Sequence, residues 1–349
     1  MKQFLQKLII FVSFPLIILL FIFLPPFFLI CRSGELIPIN AIIRIQQSSD
    51  NVLVGTAIQN IDAQLKFETT KIINPDILAL GTSRVMQFRR EYFNDDVVFY
   101  NAGGVVVNLM QYIDFITALE HNPEYVIIGL DQYFFNEAYT KGDQSHAVYA
   151  YTYDPIKIVV NGFKKMLQKE LTYQPYIYNN NIGLTAKVHG DGFRKDGSYF
   201  YNRIINEPNS DYNSKFVFPF EDTIKRIDAG NARFEYGEDI YRESIKQVVL
   251  LLNECKRRNI NVIAFIPPFA PYVNLKMEES GNYNYVKKIH TTLYPIFEQF
   301  DYEFYDFTDS SHLSDDSMYL DGFHGNDNVY HNILLDIKSN NSILGRYIK

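Results

Sequence analysis

The chain has 349 residues, 47% of them hydrophobic, enough to bury one large α/β domain or a domain carrying a substantial insertion. Its net charge of -7 excludes the basic footprint on which nucleic-acid binding rests, so no nucleic-acid partner is expected. Its only cysteines, Cys31 and Cys255, exclude a disulfide framework, and Ile30 stands before Cys31 where a lipoprotein cysteine follows a small residue.

From Leu8 to Ile30 the chain runs LIIFVSFPLIILLFIFLPPFFLI without a charged residue, long enough to cross a bilayer as a helix. Pro15 and Pro25-Pro26 are tolerated in such a helix and predict a kink or a late unwinding. Lys2 and Lys7 precede the run, so the positive-inside bias places the N-terminus in the cytoplasm and everything beyond about residue 33 outside. No small-x-small cleavage site follows, which favours a retained anchor over residues 1–32 against a cleaved signal peptide.

Residues 33–73 mix short apolar and polar stretches and read as a stalk, and a domain is expected over residues 74–349. Within it DILALGTS (76–83), VVFYNAGG (97–104) and EYVIIGLD (124–131) have the form of buried parallel strands, with a helix over 109–120 between the second and third. The rhythm resumes with a helix over 239–258, NVIAFIPP (261–268), a helix over 283–300, EFYDFT (303–308) and a closing helix over 328–338. Such alternation predicts an α/β fold, a three-layer α/β/α sandwich around a central parallel sheet. Between about 136 and 235 it lapses into a Tyr-, Asn- and Gly-rich insertion, with one amphipathic stretch over 156–171 and the turn-like GDGFRKDGS at 190–198. Its tyrosines are expected to pack a satellite core, with stacking on sugar rings as the alternative.

Open parallel sheets bind ligands beyond the carboxyl ends of their strands, where Gly81-Thr82-Ser83-Arg84 lies. Ser83 is placed there as an exposed nucleophile or, taken alone, as a helix cap. A serine nucleophile needs an imidazole base held in its tautomer by a carboxylate, and Asp321-Gly322-Phe323-His324 offers both after the last strand. Arg84 is read as a contact for an anionic substrate or as an exposed first-turn residue. Asp327 and His331 share a helix face with His324, yet no HExxH or paired-Cys pattern accompanies them, so a solvated face and no metal are expected. His189 and Asp191 of the insertion are possible substrate contacts.

GTSR and DGFH resemble, in type, order and setting, the first and last blocks of the SGNH/GDSL hydrolase superfamily, over roughly 74–135 and 240–338. The resemblance implies Ser83 as nucleophile, His324 as general base and then acid, and Asp321 as the group orienting it. It implies an oxyanion hole from the Ser83 N–H and that of Gly103 or Gly104. The third block departs from the family: Gly129-Leu130-Asp131-Gln132 stands where Gly-x-Asn-Asp supplies an amide donor, and an ionised Asp131 cannot donate. Gln132 or Asn136 would then substitute, or backbone donors alone would serve. Membrane-tethered members imply O-acyl, above all O-acetyl, transfer to a cell-surface or secreted polysaccharide through a Ser83 acyl-enzyme. No cofactor is implied, and a multi-spanning membrane acyltransferase would deliver the acyl group. The alternatives are a carbohydrate esterase and a catalytically inactive glycan-binding or assembly subunit.

Overall fold

A computed structural model describes residues 1–143, 145–147, 149, 152–171, 179–206, 210 and 213–349. The chain divides into two compact units, one of Met1–Ile61 with Tyr151–Gly192 and one of Asp62–Ala150 with Phe193–Lys349.

The second unit is built on a five-stranded, all-parallel sheet. Its strands are β1 (Ile77–Gly81), β2 (Phe99–Gly103), β3 (Tyr125–Gly129), β4 (Asn261–Ile266) and β5 (Glu303–Asp306), in the order β2-β1-β3-β4-β5. The first three strands are buried throughout, the environment in which a strand reads as an unbroken apolar run. The last, at the sheet edge, carries Glu303 and Asp306 and is only partly buried, as an edge strand that must not pair further requires. Helices Leu109–Ala118, Arg242–Arg257, Asn284–Gln299 and Asp327–Ser339 join or follow the strands and bury apolar faces in a single core. Cys255 is buried there, and burial pushes its thiol up to about 12.

The register matters for the site. Gly81 pairs with Gly103 and Leu80 with Ile128, so β1, β2 and β3 end at one level, each on glycine.

In the first unit the helix Lys2–Ser33 is long and apolar enough to cross a membrane. It stays helical through Pro25 and Pro26 to Ser33, so the late unwinding expected from those prolines does not occur, and it ends on Gly34 in the left-handed conformation (φ 89°). The stretch expected as a stalk is folded instead: Ile39–Gln47 and Asp62–Ile73 are helices, and the second of them opens the sheet-bearing unit. Glu35 explains the first half of this difference. Its buried carboxylate accepts the N–H groups of Ala57, Ile58 and Leu184 at 2.8, 3.2 and 2.9 Å, tying the end of the long helix to residues far along the chain. The amphipathic stretch of the insertion forms the helix Pro155–Leu167, started by Asp154, whose side chain accepts the N–H groups of Ile156 and Lys157. The expected insertion is therefore divided, residues 151–192 belonging to the first unit and 193–235 to the second.

Candidate active site

β1 delivers the chain into a short 3-10 turn, Ser83–Val85. Thr82 caps it by accepting the Arg84 N–H, and the buried Asn101 amide donates to the Val85 and Phe88 carbonyls at 2.9 and 2.8 Å, tying the turn to the second strand. The turn needs room over the strand ends. A Cβ on either Gly81 or Gly129 would collide with the Val85 side chain, and one on Gly103 would stand 2.9 Å from the Met86 nitrogen. The three terminal glycines thus form the seat into which Val85 drops, and Ser83 is left half-buried above it.

The second element is the loop before the helix Asp327–Ser339. One Asp321 oxygen accepts the N–H groups of Phe323 (3.0 Å) and His324 (2.6 Å), turning the chain back on itself. Gly322 takes φ 75°, and a side chain there would press on Val273 and the Phe220 ring. Phe323, buried, anchors the loop among Phe234 and Phe269.

These elements bring together the three residues singled out from sequence. Ser83 Oγ lies 2.8 Å from His324 Nε2, and His324 Nδ1 lies 2.8 Å from the second Asp321 oxygen. Burial alone would raise the Asp321 carboxyl, but the His324 imidazole and the N–H groups of His324 and Phe323 outweigh it and hold it below its ordinary value. An ionised Asp321 can only accept, so the proton of a neutral His324 sits on Nδ1 and the Nε2 lone pair faces the serine hydroxyl. Side-chain exposures of 19% for His324 and 17% for Asp321 leave the pair reachable from solvent.

Other expectations are corrected. Arg84 is neither exposed nor aimed at a ligand: it is 1% accessible, and its guanidinium donates to Asp131 and Gln132 at 2.8 and 2.6 Å and to the Pro267 and Pro268 carbonyls at 2.8 and 2.6 Å. Phe269 and Phe323 stack near it, 4.1 and 4.7 Å from the guanidinium carbon. The acid in the third block is thereby accounted for, since Asp131 is the counterion of Arg84, and its other oxygen accepts the Thr82 hydroxyl at 2.7 Å. Gln132 and Asn136 do not replace the missing donor, because the Gln132 amide donates to Pro267 O and the Asn136 amide to Glu235 O and Tyr236 O. Gly103 and Gly104 do not fit either: their N–H groups are engaged by Asn101 Oδ1 (2.7 Å) and Gly81 O (2.8 Å). The N–H groups of Ser83, Val105 and Val106 have no acceptor among the described residues.

Asp327 pairs with Arg89 at 3.1 Å and His331 stacks on Tyr92 at 4.6 Å, so the two are engaged elsewhere. No group of three metal-ligating side chains occurs among the described residues. His189 and Asp191 lie in the first unit, whereas the serine, histidine and aspartate all lie in the second.

Three features of the site were not anticipated. Tyr201 stands beside His324, ring centroids 6.2 Å apart. Arg226 and Arg233 lie against Phe323, their guanidinium carbons 5.6 and 5.7 Å from its ring centroid. Lys66, wholly buried, donates to the Gly103 carbonyl behind the strand ends, and burial, opposed by Asp62 and Asp196, lowers its ammonium to about 7. Of these only Lys66 had a sequence signal, a cation set directly between Leu65 and Phe67. No protein-family model, no curated protein and no solved structure matches the chain.

Proposed function

We propose that this protein is a membrane-anchored serine acyltransferase of SGNH type that places acyl groups, acetyl above all, on a cell-surface or secreted polysaccharide. The hydrogen-bonded chain Ser83–His324–Asp321 at the strand ends carries this reading. The helix Lys2–Ser33 supports the anchor, with Lys2 and Lys7 on the cytoplasmic side and the chain beyond Ser33 outside. A sheet covered by helices on both faces is the frame that the reading assumes.

In the first half-reaction Ser83 Oγ attacks the carbonyl carbon of the acyl donor as its proton passes to His324 Nε2. The donor's leaving group departs with that proton, and an ester on Ser83 remains. In the second, a sugar hydroxyl gives its proton to His324 and attacks the ester carbon, and Ser83 leaves and recovers the proton. Asp321 stays ionised throughout and holds the imidazolium. With the third-block amide absent and both glycine N–H groups engaged, the Ser83 N–H is the donor left for the oxyanion among those the resemblance implies. An acyl group made in the cytoplasm needs a route across the bilayer, which one helix does not supply. A multi-spanning membrane acyltransferase is the donor partner this chemistry requires.

The test is to incubate the full chain in mild detergent with a chromogenic acetyl ester, with and without an oligosaccharide acceptor. Acetyl recovered on sugar supports transfer, and release to water alone makes the protein an esterase. If neither occurs and Ser83→Ala leaves polymer acylation in cells unchanged, the enzyme reading fails and an assembly role replaces it.

A further inference from the structure

The amphipathic helix Pro155–Leu167 takes no part in the proposed chemistry, yet its surface is unlike that of a helix in water. Ile158 and Gly162 are buried, and Gly162 is packed so closely on Ile30 of the long apolar helix that any Cβ would overlap it. On the opposite side Ile156, Val160 and Leu167 are 75%, 59% and 84% exposed, and Phe163 continues the same line. The spacing i, i+4, i+7, i+11 places these four on one stripe. Lys157 and Lys164, both exposed, border it.

The partner of Phe163 fixes what this stripe meets. Phe163 packs on Phe23 of the long helix, ring centroids 5.1 Å apart. With Leu8 at the inner edge of the hydrocarbon, Phe23 stands ~22 Å along the helix, inside a core ~30 Å thick. Phe163 therefore lies ~7 Å below the outer boundary, within the ~5–10 Å to which helices lying in a membrane surface sink. Tyr153, just before the helix, is partly exposed and donates to the Leu36 carbonyl at 2.6 Å, in the position of an interfacial aromatic anchor.

We infer that Pro155–Leu167 is an interfacial helix, its Ile156–Val160–Phe163–Leu167 stripe sunk in the outer leaflet and its lysines among anionic headgroups. The inference rests on the reading of Lys2–Ser33 as a membrane span, and it turns a tether into a two-point attachment. A single helix leaves the first unit free to rotate about its axis. A second helix lying across it in the leaflet gives that unit one orientation against the membrane.

The chain contains no tryptophan, so a single introduced one is a clean reporter. The full chain is reconstituted into vesicles of phosphatidylcholine and phosphatidylglycerol whose acyl chains carry bromine either near the headgroup or near the chain end. Leu167→Trp and, independently, Ile156→Trp are each expected to lose about half or more of their emission, more to shallow bromine than to deep. Ile18→Trp, near mid-membrane, is expected to show the reverse order. If both stripe reporters are unquenched while Ile18→Trp is quenched, the interfacial helix is refuted and the anchor stands. If Ile18→Trp is also unquenched, the anchor reading fails and this inference with it.

Discussion

Replacing Asp131 by the asparagine that the resembled family carries tests how the third block is built. Both side chains of the Arg84–Asp131 pair have no accessible surface, and they approach to 2.8 Å. Asp131→Asn leaves the guanidinium buried without a counter-charge, and one amide oxygen replaces the two carboxylate oxygens that accept from Arg84 and from the Thr82 hydroxyl. Breaking a buried pair in this way costs about 3–5 kcal/mol, a large share of the stability of an ordinary domain. Thr82 also caps the turn that carries Ser83, so activity is expected to fall as well. Urea unfolding of the full chain in mild detergent measures the first effect as a lower midpoint at constant slope. Removing the charge from both sides with Arg84→Met in the Asp131→Asn background should recover about 1–3 kcal/mol, the signature of a coupled pair. An Asp131→Asn protein with an unchanged midpoint and faster ester turnover would refute this reasoning, because it would place residue 131 in the oxyanion site.

Ser83→Ala should lower acyl turnover by about a thousandfold or more with an unfolding midpoint close to wild type, measured on the same chromogenic ester. Gly129→Ala should cost about 1–3 kcal/mol and displace the serine turn by overlap with Val85, and Val85→Ala in that background should restore part of both stability and turnover. Lys66 binds fewer protons folded than unfolded between about 7 and its ordinary 10.5, so stability should rise with pH across that window, by at most about 1.4 kcal/mol per unit. Lys66→Met should flatten that rise in unfolding curves taken at a series of pH values. Glu35→Ala removes the acceptor of three N–H groups, two of them buried, and should open the first unit to limited proteolysis, with a loss of about 2–4 kcal/mol.

The first three strands of the sheet were legible because their cause is local. A strand buried on both faces is apolar almost throughout, and DILALG, VVFYNAG and EYVIIG show that requirement, with Asn101 the one polar exception among their fully buried strand positions. Asp321 and His324 were equally legible, since an aspartate bonding the N–H groups two and three residues on makes the loop from its own sequence. The stalk misled because the groups that fold it are remote: Glu35 is satisfied in part by Leu184, 149 positions away. Nothing near Glu35 announces a buried carboxylate.

Arg84 and Asp131 show what a sequence reading misses when two oddities are weighed apart. Each looked anomalous alone, one a cation directly after Ser83, the other an acid where the resembled family has an amide. They end adjacent strands at one level, and a charge at the buried end of a strand is tolerated only beside its opposite. The pairing needs the strand order, which sets the first strand between the second and the third, and then follows from electrostatics. A carboxylate committed to Arg84 and Thr82 reaches Ser83 only through the turn it braces, so what Asp131 does for the serine it does by holding Thr82, whose side chain caps that turn.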